Sequence, residues 1–262
     1  VPLTGSLKTL LLRGLLAGLI AGLLAATVGY FIGEPQVDAA IAIEEAAAAP
    51  AEHGHDAAEP AGHSHGGEDE PLVSRSGQKA GQFLALGLAG MAFGALLAAA
   101  LNFGRRFTTL TGPKLSLYAA GFAWAAIVAV PFFKYPANPP AVGDPETINN
   151  RTWLWVATVV LGLLAVAASI AAYRALAGQL DTLRLIAGVA AFVLVTTVGY
   201  VLLPGVNEVA DDFPATLLWR FRVASLAETT TLWVALGLAF AALTEFASRR
   251  STPVVEQVAT AG

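Results

Sequence analysis

The feature that most constrains this chain is a set of six long stretches with no Asp, Glu, Lys or Arg: Gly14–Gly33, Ala80–Gly104, Leu115–Phe133, Thr152–Tyr173, Leu185–Asn207 and Thr229–Thr244. A helix needs roughly 20 apolar residues to cross the hydrocarbon core of a bilayer. Helices also satisfy their backbone polar groups internally where no water can do so. The first five stretches suffice as they stand. The last becomes long enough when Ser225, Leu226 and Ala227 are added and Glu228 is accepted within it. The expected fold is therefore an all-α, polytopic membrane helical bundle of about six transmembrane helices, forming one integral membrane domain over residues 1–262. Composition agrees, because 56% hydrophobic and only 13% charged residues exclude an ordinary soluble domain. Lys8 and Arg13 ahead of the first stretch imitate a secretory signal, but the apolar run is too long for one, and it is read as a retained helix.

Orientation follows from the basic residues. With both termini cytoplasmic, the inner pieces carry Lys8, Arg13, Arg105, Arg106, Lys114, Arg174, Arg184, Arg249 and Arg250, as the positive-inside rule expects. The outer pieces carry Arg75, Lys79, Lys134, Arg151, Arg220 and Arg222 with nearly all the acids. The chain then reads as three hairpins with outer loops at 34–79, 134–151 and 208–224. Thr27-Val28-Gly29-Tyr30 and Thr197-Val198-Gly199-Tyr200 echo one another, which is either a trace of an internal repeat or a coincidence of apolar helices. Gly14, Gly18 and Gly22, like Gly90 and Gly94, make small-residue ridges whose expected use is close packing inside the bundle rather than dimerisation.

The first outer loop holds every histidine of the protein: His53, His55, His63 and His65, among Asp56, Glu59, Glu68, Asp69 and Glu70. Residues 44–71 are mostly Ala, Pro, Gly, Glu and His, a composition unable to build a core and expected to be flexible; a disordered tail is expected over 251–262. No cysteine is present, so any metal site must use imidazole or oxygen ligands. Two His-x-His pairs on a pliable strand suit divalent cobalt, nickel, copper or zinc, and the nearby carboxylates add attraction for cations. The competing reading is a solvated linker.

Glu34 and Asp38 open a short amphipathic helix with Pro35 at its start, which either lids a pore mouth or lies on the surface with no gating role. Glu208, Asp211 and Asp212 close to Asn207 make a candidate hydrated cation vestibule together with Glu34 and Asp38. The bland alternative is a polar turn with interfacial aromatics and arginine–carboxylate pairs. Glu228, near the outer end of the sixth span, is the one candidate for an intramembrane ionisable residue. With no phosphate loop, nucleophile constellation or intramembrane His pair, neither enzymatic activity, a permanently bound cofactor nor a nucleic-acid partner is expected.

Taken together, several segments resemble the CbtA family of predicted bacterial cobalt transporter subunits. They are Arg13-Gly14-Leu15-Leu16-Ala17-Gly18, Glu34-Pro35 with Asp38-Ala39-Ala40-Ile41, the His-bearing loop, and Val73-Ser74-Arg75. Further along come Pro131-Phe132-Phe133-Lys134-Tyr135-Pro136-Ala137-Asn138-Pro139-Pro140, Pro204-Gly205-Val206-Asn207-Glu208, Phe213-Pro214, and Leu218-Trp219-Arg220-Phe221-Arg222-Val223-Ala224-Ser225-Leu226. The resemblance implies cobalt uptake linked to cobalamin synthesis in a bacterial cytoplasmic membrane, often beside a small single-span subunit, CbtB. Metal capture by His53, His55, His63 and His65 is implied for this chain. Glu228 departs from the uncharged pattern the resemblance implies there, and no transport role is assigned to it. Two functions stay open: a metal-uptake component whose outer loop collects the ion, and a non-transporting metal-binding or assembly subunit.

Overall fold

The computed structural model describes residues 2–48 and 73–250 and is helical throughout, with no strand among the described residues. Eight α-helices make six spans. Helix α1 (Leu7–Val28) runs through a π-turn (Gly29–Gly33) into α2 (Glu34–Ala48), and α3 (Arg75–Gly104) returns. Helix α4 (Gly112–Trp124), a second π-turn (Ala125–Ala129) and α5 (Val130–Lys134) form the third span; α6 (Ile148–Ala175), α7 (Asp181–Leu202) and α8 (Ala215–Arg250) complete the set. Six helices are long and apolar enough to cross a membrane.

Helix boundaries overrun the apolar stretches in both directions. Outside hydrocarbon a helix needs no apolar side chain, so α3 begins at Arg75, α6 at Ile148 and α8 at Ala215, and α2 carries the first helix on past Gly33. Segment 34–79 is therefore helical at both of its ends. The fifth span stops earlier than its apolar stretch: α7 ends at Leu202, just ahead of Pro204 and Gly205.

Packing starts at a glycine seam between α1 and α3. A Cβ built on Gly14 would fall onto the carbonyl of Gly94, one on Gly18 onto that of Gly90, and one on Gly22 onto that of Leu86. The ridges thus serve packing within the bundle, where backbones approach closely enough for dispersion to replace the hydrophobic drive that lipid removes. Helix α8 lies against α1 and α4, and the common core contains Leu10, Ala17, Ala21, Leu97, Leu101, Ala120, Trp233, Leu236 and Phe240. Helix α6 joins through the second π-turn, where a Cβ on Gly162 would strike Ala126.

The third hairpin is not a packed pair. Helix α7 lies mainly on α6 rather than on α8, and only Gly188 along it is buried. Its far end is latched instead to the third span: Lys134 Nζ donates to the carbonyls of Tyr200 and Leu203, both at 2.9 Å, and Tyr200 donates its hydroxyl to Val130 O. The cation on the last carbonyls of a helix is favourable electrostatically. The two Thr-Val-Gly-Tyr copies accordingly sit in different settings, Gly29 beside Glu228 and Gly199 beside Leu161.

At the face bearing the chain ends, arginines cap backbone carbonyls: Arg105 reaches Leu3 O and Gly5 O, Arg13 reaches Thr4 O, and Arg174 reaches Phe107 O. The opposite, distal face carries Glu34, Arg75, Lys134 and Glu208.

Replacing Gly18 by Leu drives a side chain into the α3 backbone. We expect loss of about 3 kcal/mol or more, the upper range for overpacking, read as failure to recover monodisperse protein in detergent. Leu12→Val, on an exposed lipid-facing position, is expected to be recovered like the parent.

Candidate functional site

Two polar regions flank α8 near the distal face. The first lies between α1, α2, α3 and α8. Arg75 bridges α2 and α3, donating to Glu34 and, at 2.9 Å, to Asp38; Lys79 reaches the other oxygen of Asp38 at 2.8 Å. Glu34 is the more buried of the two acids, with 13% of its side chain exposed against 46% for Asp38. Pairs this exposed contribute modestly to stability. Their role is to hold α2 over the start of α3.

Deeper in, Glu228 projects from α8 toward α1 and α3. Gln82 Nε2 donates to its carboxylate at 3.4 Å, while Gln82 Oε1 is buried without a partner among the described residues. Gly29 makes room: a Cβ there would collide with Glu228 Oε2 and Gln82 Nε2. Glu34 is near enough for its charge to act on Glu228. The carboxylate of Glu228 forms no ion pair among the described residues and meets one amide instead of a guanidinium or an ammonium. Such a group within an apolar span is costly to maintain and by default marks function.

A shared local device shapes both sides of α8. In each π-turn one backbone bond is widened: Glu34 N–H donates to Gly29 O, and Val130 N–H to Ala125 O. A proline follows in each case, Pro35 and Pro131. Proline brings no N–H and crowds the preceding turn, and the widened turn accommodates both defects.

The second region is a cavity of about 650 Å³ between the third, fourth and sixth spans. Its polar wall holds Arg151, Glu208, Arg222, Asn138, Ser225 and Thr229, and Ile127, Val128, Phe132 and Trp155 form much of the apolar wall. Arg151 pairs with Glu208 at 3.1 Å, and Arg222 donates to Ala137 O and to Asn138 Oδ1 at 2.9 Å. Nearby, Trp124 Nε1 of the third span donates to Thr230 Oγ1 of α8 at 3.0 Å.

The acids singled out in the sequence thus fall in three places. Glu34 and Asp38 join in the first region, Glu208 lines the cavity, and Asp211 and Asp212 are exposed on the turn before α8. Among the described residues no three carboxylates or imidazoles converge as a metal site. His53, His55, His63 and His65 lie outside the described residues. Gln82 and Gly29 were not singled out by sequence. Their signal was present only in part: a neutral amide and a glycine in apolar helices gain meaning once Glu228 is seen to face them.

A double-mutant cycle tests this geometry. Gly29→Ala is expected to destabilise the protein because the new methyl meets the Glu228 carboxylate. In a Glu228→Ala background the cost should shrink, giving a coupling of about 1 kcal/mol or more by thermal melting in detergent.

No match was found among curated proteins or among solved structures. The family model for CbtA, described as a probable cobalt transporter subunit, matches residues 7–245. That interval runs from the first residue of α1 to within the last turns of α8 and includes both polar regions, so this multi-pass membrane chain belongs to the CbtA family.

Proposed function

We propose that the protein is the integral membrane component of divalent cobalt uptake in a bacterial cytoplasmic membrane, with its chain ends in the cytoplasm and the distal face outside. The observation that carries this reading is Glu228, a carboxylate kept inside an apolar span with Gln82 as its hydrogen-bond partner and Gly29 cut back to admit it. Family membership supplies the ion. The orientation is supported by arginines clustered at the face of the chain ends.

In this reading His53, His55, His63 and His65 collect the ion outside the membrane by imidazole ligation, and Glu34 and Asp38 draw it toward Glu228. Arg75 and Lys79 hold those two acids while no metal is present, so the incoming ion competes with them for the same oxygens. Asp211 and Asp212 add negative potential at the same face, whereas the oxygens of Glu208 are engaged by Arg151, Thr147 and the backbone N–H of Asp144. A small single-span subunit of the CbtB kind is the partner this family reading suggests.

The second reading is a non-transporting metal-binding or assembly subunit. It is favoured by one observation, that the described residues bring together no complete set of metal ligands. Uptake of labelled cobalt at nanomolar supply, in cells stripped of other cobalt transporters, decides between them. Expression of this chain alone is expected to raise uptake well above control, and Glu228→Gln to abolish the increase. Absence of uptake with the protein verified in the membrane sinks the transport reading.

Replacing all four histidines by alanine should lower uptake at scarce cobalt several-fold and matter less when the metal is plentiful. Because protonated imidazole cannot ligate, the histidine-dependent part of uptake is expected to be present above the His pKa of roughly 6.5 and to fade as pH falls through it.

A further inference from the structure

The cavity beside α8 has the wrong charge for a bare cation. Its charged lining is Arg151, Arg222 and Glu208, two guanidiniums against one carboxylate. Glu208 has little left to offer: Oε2 is ion-paired with Arg151 Nη1 at 3.1 Å and accepts from the backbone N–H of Asp144 at 3.2 Å, and Oε1 accepts from the Thr147 hydroxyl at 2.6 Å. Arg222 spends Nε and one terminal nitrogen on neutral acceptors, Ala137 O and Asn138 Oδ1, and forms no ion pair among the described residues. Arg151 Nε is buried with no acceptor among the described residues. Guanidinium is a planar donor fork suited to carboxylate and phosphate oxygens. The same cavity is lined by Phe132, Trp155, Ile127 and Val128, and the volume lies within the range of small-molecule sites.

We propose that this cavity is a binding site for an oxyanion, carboxylate or phosphate, carried on an apolar body, with Arg222 as the principal anchor and the Phe132–Trp155 wall receiving the apolar part. The site is independent of the metal path on the other side of α8. Its ligand comes either from the bilayer, as an anionic lipid headgroup, or from solution, as a small amphiphilic acid.

Thermal melting of the purified full chain in a neutral detergent tests the site with two matched pairs of probes: phosphatidylglycerol against phosphatidylcholine, and hexanoate against hexanol. Saturable stabilisation is expected from at least one anion and not from its neutral counterpart. Phosphatidylglycerol alone points to the lipid source; hexanoate alone points to the soluble one. Arg222→Gln is expected to weaken the effective anion at least tenfold, and Val206→Trp, which puts a bulkier side chain on a loop residue of the lining and leaves the charge unchanged, to weaken it as well. The site is overturned if neither anion exceeds its neutral partner on the wild-type chain, or if both variants retain wild-type affinity. Should Arg222→Gln fail to fold, Val206→Trp decides alone, since wild-type affinity in that variant rejects the cavity as the binding place.

Discussion

Backbone-to-backbone contact between α1 and α3 is the interaction on which the other features rest. Lipid offers no reward for merely hiding apolar side chains, so two apolar helices must gain from close fit what soluble helices gain from burial. Gly14, Gly18 and Gly22 against Gly90 and Gly94 provide that fit over several turns. The consequence at the distal end is geometric. With α3 held against α1, Arg75 and Lys79 arrive beside α2, and Gln82 arrives beside Glu228. The polar contacts there are long in sequence, such as Asp38 with Lys79, yet they follow from a seam made of residues with no side chain at all.

The two π-turns extend the same logic to the spans around α8. A proline within a span threatens the hydrogen bonding that the bilayer demands, and each proline here stands two residues beyond a widened turn. The displaced backbone is put to use. Gly29 becomes the floor under Glu228, and the carbonyl of Val130 receives the Tyr200 hydroxyl that ties the fifth span to the third. Local irregularity thus sits where polar groups gather, which is where such bulges are often found.

Much of the fold was legible in the residues because the bilayer imposes one dominant rule. Absence of charge over about 20 residues identifies a span; five were found that way, and the sixth by accepting Glu228 within it. Hydropathy alone did not give their ends, because it is blind to helix that continues through polar residues; the helix Glu34–Ala48 was legible instead from its amphipathic pattern and Pro35, whereas the starts of α3 and α6 were not. Neighbour relations were also hidden. Nothing in the composition of Leu185–Asn207 says that α7 sides with α6 and the Lys134 latch rather than with α8. At the candidate site, single acids were easy to find, whereas their grouping was not: Glu34 and Glu208 look alike in sequence, but one meets Arg75 at the start of the second span and the other meets Arg151 on the fourth. Glu228 was visible as an anomaly, and only the approach of Gly29 and Gln82 gives it surroundings.

Helix α7 shows what its one-sided attachment implies for the membrane itself. At a rise of 1.5 Å per residue its 22 residues span about 33 Å, close to the hydrocarbon thickness, whereas the 36 residues of α8 span about 54 Å and must project beyond it. The tilt of such a helix is set by the neighbour it packs on and by the anchors at its ends. For α7 these are the flank of α6 and the far-end fastening through Tyr200 and Lys134 to the π-turned third span, so the third and fourth spans, which also wall the cavity, fix how α7 stands in the bilayer.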